Sequence, residues 1–156
     1  MIYAVTITTS KGGSEGQVVT TVMPVTGGLV WMFEVDFPPG CCGLAHIRVF
    51  DGLYQVFPAT SGESFHGDNV TLHLDDLYYK QAAPYEFRVV AWNEDEKWDH
   101  TLQVRVGMAA GEAEMSRYMP ALAFKDFERL LADMIAAQEL VRQAQLEATL
   151  KEITEV

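Results

Sequence analysis

At 156 residues the chain has room for one domain plus an appendage, and enough length to bury a core without disulfide or metal staples. Eleven Lys and Arg against 22 Asp and Glu give a formal net charge of −11, which argues against a non-specific nucleic-acid binder and against docking on anionic membranes, since both need a basic surface. A hydrophobic share of 49% and an aromatic share of 11% fit a globular, β-rich core and not a disordered chain.

The opening "MIYAVTITTS" has neither the basic n-region nor the apolar h-region of a secretory signal, and no apolar run nears the ~20 residues of a membrane span. A soluble protein made in the cytoplasm is expected. Residues 2–9 alternate well enough for a strand, "SKGGSEG" (10–16) is a flexible loop, and 17–25 form a second strand that Pro24 ends at an edge or bend. In 27–37, Leu29, Trp31, Phe33, Val35 and Phe37 fall on one face, with Val30, Met32, Glu34 and Asp36 on the other. "PPGCCG" (38–43) breaks the chain, 44–51 resumes alternation, and "DG" at 51–52 turns into 53–58 as a hairpin. Residues 59–69 read as a loop, and 70–74, 84–92 and 100–108 as further strands.

About eight short strands with no helix between them predict an antiparallel β-sandwich, jelly-roll-like or Ig-like, over 1–108. Residues 109–120 are small and polar and read as a linker. From 121 to 156 there is neither Gly nor Pro, and Ala, Leu, Glu, Gln, Lys and Arg dominate, which predicts a long C-terminal α-helix. Phe124, Phe127, Leu130, Leu131, Met134, Ile135 and Val141 make one apolar stripe on it. That stripe is the expected partner interface, serving a homo-oligomer, for instance a trimer.

Candidate chemistry is sparse. The adjacent Cys41 and Cys42 point to opposite faces of an extended chain, so one buried and one exposed thiol is expected, with no disulfide and no zinc site. "NEDEKWD" (93–99) sits between two strands and reads as a hairpin tip, with Asn93, Asp95 and Asp99 as a weak calcium alternative. His46, His66, His73 and His100 lie on separate segments, and nothing in the sequence brings them together. Ser61 and Ser64 lack a nucleophile-elbow context, and carboxylate pairs such as Glu86 and Glu94 are commonplace in an acidic chain. No catalytic residue and no cofactor are expected. Tyr78, Tyr79, Trp92 and Trp98 are a candidate surface platform for sugars or a protein partner, against the plainer reading that they plug the ends of the sandwich.

The stretch "VDFPPGCCGLAHIRVFDGLYQVFPATSGESFHGDN" followed by "PYEFRVVAWNEDEKWDHTLQVRVGM" resembles a family of uncharacterised β-sandwich proteins associated with virion genes of tailed phages and prophages. Phe37-Pro38-Pro39-Gly40, the hairpin through Gln55 and Pro58, Gly67-Asp68, Pro84-Tyr85-Glu86 and Asn93-Glu94-Asp95 leading to His100-Thr101 carry the likeness, over about residues 28–107. The resemblance implies a bacteriophage virion protein, either capsid-decorating or associated with the head or tail. Its partners would be further copies of itself and a capsid or other virion protein, and it brings no catalytic residues. The alternative is a carbohydrate-binding module that uses the exposed aromatics.

Overall fold

A computed structural model describes residues 1–119 and, beyond them, positions 125, 129, 132, 133 and 136. The chain divides into two compact units, Met1–Gly111 and Glu112–Val156, with a boundary inside the stretch read as a linker. The first unit contains ten strands: β1 (Ile2–Thr9), β2 (Val19–Pro24), β3 (Gly28–Phe37), β4 (Ala45–Asp51), β5 (Tyr54–Phe57), β6 (Phe65–His66), β7 (Val70–Leu74), β8 (Tyr78–Lys80), β9 (Glu86–Asn93) and β10 (His100–Ala109). In the second unit the described helix is a single turn, α1 (Glu112–Met115). Of the long helix read over 121–156, positions 125, 129, 132, 133 and 136 alone are described, each in helical conformation, and all seven stripe residues, Phe124, Phe127, Leu130, Leu131, Met134, Ile135 and Val141, fall outside the described residues.

The strands form two antiparallel sheets. Sheet A runs β1-β10-β3-β7, with β8 also on β3, and sheet B runs β2-β9-β4-β5, with β6 also on β4. The first four strands pair with the later ones in reverse order: β1 with β10, β2 with β9, β3 with β7 and β8, β4 with β5 and β6. Phe33, Val35, Phe37, Val104 and Val106 of sheet A face Ile47, Val49, Phe87 and Val89 of sheet B in one closed core. Phe33 anchors it, stacking on Phe57 with ring centroids 4.6 Å apart and on Phe65 at 5.7 Å.

Two strands were not expected. β6 lies inside 59–69, read as a loop, and β8 covers Tyr78–Lys80; at two and three residues, neither is long enough to display alternation. The face assignment within β3 also needs correction. Gly107 pairs with Met32 but Met108 pairs with Val30, so Trp31 is an extra residue on β3. A bulge of this kind shifts the side-chain alternation by one: Val30 enters the core where the sequence pattern put Leu29 and Trp31. Gly107 accommodates the displaced ring, because a Cβ there would lie 2.7 Å from Trp31.

At one end of the sandwich the sheets are tied by an ion pair. Lys80 Nζ, nearly closed to solvent, lies 2.5 Å from Asp51 Oδ1, and the Tyr78 hydroxyl donates to Asp51 Oδ2 at 2.8 Å. Burial and that hydrogen bond push the Tyr78 phenol up to about 12.

Candidate functional site

The turn between β9 and β10 is held from inside. Asn93 Nδ2 donates to the Trp98 carbonyl at 2.8 Å, and the Asp95 amide donates to Asn93 Oδ1 at 2.9 Å. Asp95 Oδ1 accepts from the Lys97 and Trp98 amides, and Oδ2 accepts from His100 Nε2 at 3.0 Å. The Lys97 N–H, and next the His100 ring, hold the Asp95 carboxyl below its usual value by stabilising the anion. Asp99 faces elsewhere, with Oδ1 accepting from the Lys11 amide at 2.8 Å. Asn93 and Asp95 thus serve as a turn lock, in keeping with the hairpin-tip reading, while Asp99, the third residue of the calcium alternative, is tied to the Lys11 amide instead. Among the described residues no group of three or more His, Cys, Asp or Glu side chains is placed to hold a metal.

That lock presents Trp98 to solvent, 66% exposed. Beside it lies an open depression of about 630 Å³, lined by Trp98, Glu94, Glu96 and Lys97 on one side and by Cys42 and Leu44 on the other. The second wall is the "PPGCCG" loop. Its path uses left-handed backbone at Gly40 (φ 94°), Cys42 (φ 50°) and Gly43 (φ 76°), and the Gly40 amide donates to Asp68 Oδ1 at 2.8 Å. The two walls are joined where the Glu94 amide donates to the Leu44 carbonyl at 2.9 Å. Sequence reasoning took this loop only as a chain break and missed it as a wall. Its cysteines divide as expected, Cys41 buried and Cys42 exposed. Burial, and then the Asp68 carboxylate, push the Cys41 thiol up to about 11.

The four candidate platform aromatics are not assembled. Trp98 stands alone at its end of the sandwich, while Tyr78 and Tyr79 lie on β8 opposite Val30 and Leu29, at the start of β3. Tyr79 is exposed, but Tyr78 packs inward beside Phe57 and Phe87. Trp92 is only 3% exposed, because the His46 ring stacks flat on it at 4.8 Å and the Arg48 guanidinium covers the same ring at 4.7 Å. Of the four, Trp98 remains as an exposed indole beside a depression.

Two of the four histidines do meet. His46 and His66 sit directly opposite each other on β4 and β6, with rings 5.2 Å apart. His46 Nδ1 also lies 3.0 Å from Ser64 Oγ, and its Nε2 is 4.0 Å from Glu94 Oε1. Burial lowers the His46 pKa, outweighing Glu94. The row resembles a hydroxyl–imidazole–carboxylate relay, yet the carboxylate stands beyond hydrogen-bond reach of the ring and accepts instead from Trp92 Nε1 at 3.1 Å. Its visible work is packing around Trp92. His73 is exposed on the edge strand β7 beside Asp75, and His100 belongs to the turn lock. No strand approaching β6 was legible in the sequence, so nothing there could have paired His46 with His66.

No helix among the described residues is long and apolar enough to cross a membrane. No protein-family model matches the chain, and a comparison with curated proteins finds no match.

Proposed function

We propose that this is a non-enzymatic structural protein that works by assembling: a homo-oligomeric accessory component of a phage virion, on the capsid or at the head or tail. The observation that carries this reading is the division of the chain. A sandwich with its own closed core occupies Met1–Gly111, and a separate unit follows whose sequence bears a seven-residue apolar stripe from Phe124 to Val141. An apolar stripe of that size needs a partner surface to cover it. The reverse-order pairing of strands supports the jelly-roll reading over the Ig-like one, since a long hairpin rolled into two sheets is that architecture. Jelly rolls occur in viral shells and in lectins; that is an analogy of fold and ranks below the division of the chain as support. Light scattering on the full chain and on a chain ending at Gly111 tests the reading. A defined oligomer whose order falls on truncation supports it, and a full chain that stays monomeric at every concentration sinks it.

A carbohydrate-binding role is the second reading, favoured by one feature: the exposed Trp98 beside a depression with Glu94 and Glu96 in reach. Indole faces stack on sugar rings while carboxylates accept from sugar hydroxyls. A tryptophan fluorescence response to a glycan panel, abolished by Trp98→Ala, would support it; silence across the panel removes it.

A further inference from the structure

Natural β-sandwiches protect the edges of their sheets, because an unpaired row of N–H and C=O groups recruits any strand that reaches it. Two edges of this sandwich are protected in ordinary ways. On one flank, β5, β6 and β8 are only two to four residues long, and β7 is followed directly by Asp75 and Asp76. On the other flank, β1 and β2 are the edges of sheets A and B, eight and six residues long, and neither contains a charged residue. Within residues 1–33 the only charged side chains are Lys11 and Glu15, both in the connecting loop, on a chain whose net charge is −11. Neither strand has a bulge in its pairing, and the only proline is Pro24 at the end of β2. The flank also shows apolar side chains to solvent, with Ile2 62% and Val22 49% exposed. Among the described residues β2 has a single ladder partner, β9.

We infer that this flank is an interface between two copies of the chain, formed by antiparallel pairing of β2 with β2 of a second copy, so that sheet B continues across a two-fold axis. The charge distribution selects the occupant. Two molecules of net charge −11 repel wherever their acidic surfaces meet, and the β1/β2 flank is the long neutral edge at which they approach without juxtaposing carboxylates. A two-fold contact also asks each copy to present the same self-complementary patch. With the axis near Thr21, the outward Thr20 faces Val22 of the second copy, a β-branched pair suited to adjacent strands. This rests on the assembling reading above and names a surface for it that the stripe does not supply.

The test uses the full chain. Thr20→Lys with Val22→Lys places two ammonium groups on exposed, outward positions of β2, where the core does not feel them. The expected result is a fall in solution mass by half, or at least a tenfold weaker self-association, with an unchanged circular dichroism spectrum. In the wild type, amides of β2 that point away from β9 should be protected from hydrogen exchange, and in the variant they should exchange freely. Leu53→Lys, at a 93% exposed position on the opposite flank, should leave the mass unaltered. A β2 variant with the full wild-type mass and protection overturns the inference; if truncation at Gly111 still lowers the order, the assembling reading stands without it. A wild type that is monomeric throughout overturns both, and points the flank toward a strand from a different protein.

Discussion

His100 Nε2 lies 3.0 Å from Asp95 Oδ2, five residues back in the chain, with both side chains almost closed to solvent. The contact joins the first residue of β10 to the middle of the turn that precedes it, and Asp95 spends its other oxygen on two backbone amides. The turn is thus organised by one carboxylate and not by glycine or proline.

The ionisation of Asp95 should therefore be visible in the acid limb of the stability curve. Its carboxyl is depressed in the folded state, chiefly by the Lys97 amide, so its contribution is present above the unfolded carboxylate value and is lost as pH falls through the lower folded value. Asp95→Asn should flatten the loss of stability on acidification, measured by urea unfolding between about pH 5 and pH 2, near and below ordinary carboxylate values. An unaltered slope would mean that the contact is made without net stabilisation of the anion.

Gln55 should be one of the least replaceable polar residues. Its amide nitrogen lies within hydrogen-bond distance of the carbonyls of Pro58, Thr60 and Glu63, and its oxygen accepts from the Gly62 amide. Gln55→Ala should cost about 2 kcal/mol, because the part-buried Pro58 carbonyl loses its donor and the Gly62 amide its acceptor. Gln55→Glu should cost more, since it sets a carboxylate against those carbonyls. Chemical denaturation of both variants checks the order.

The Lys80–Asp51 pair should be asymmetric to mutation. Asp51→Ala strands a buried ammonium and should destabilise by roughly 3–5 kcal/mol, whereas Lys80→Met combined with Asp51→Asn removes both charges and should cost far less. A double-mutant cycle on thermal unfolding reads the difference. Equal losses would mean that water reaches Lys80.

Cysteine titration offers a check on the 38–44 loop. One equivalent of an aromatic disulfide reagent should react quickly with the native protein, at Cys42, and the second only on unfolding. Because the Cys41 thiol is raised from its ordinary value of 9.0 to about 11, the unfolded chain ionises first, and stability should decline as pH rises from about 9 toward about 11. Cys41→Ala should remove the part of that decline that begins near pH 9 and leave the part above about pH 10 that the raised Tyr78 phenol contributes.

Much of this architecture was legible because alternation and turn chemistry coincide. Phe33, Val35 and Phe37 announce β3, and Asp51-Gly52 announces the β4–β5 hairpin, with Gly52 at φ 59°. Physical reasons account for what was missed. A bulge is one residue, so Trp31 looks like a regular member of its strand. Trp92 looks like a surface indole because its cover, His46 and Arg48, comes from a strand more than forty positions away. The acidic tip at 93–99 has the composition of a cation site, and only the positions of its N–H donors separate a turn lock from a ligand set. The depression beside Trp98 was invisible for a related reason: its walls come from two loops that alternation cannot place side by side.

The reverse-order pairing of strands bears on how the chain reaches this state. Ile2 sits opposite Gly107 and Val19 opposite Ala91, so the outer ladders close loops spanning most of the sandwich before any contact rewards them. Such non-local topologies fold in milliseconds to seconds, not microseconds. During synthesis β1 and β2 emerge ahead of β9 and β10, so two strands without a charged side chain stay unpaired on the nascent chain until their partners arrive, which is where a chaperone would be needed.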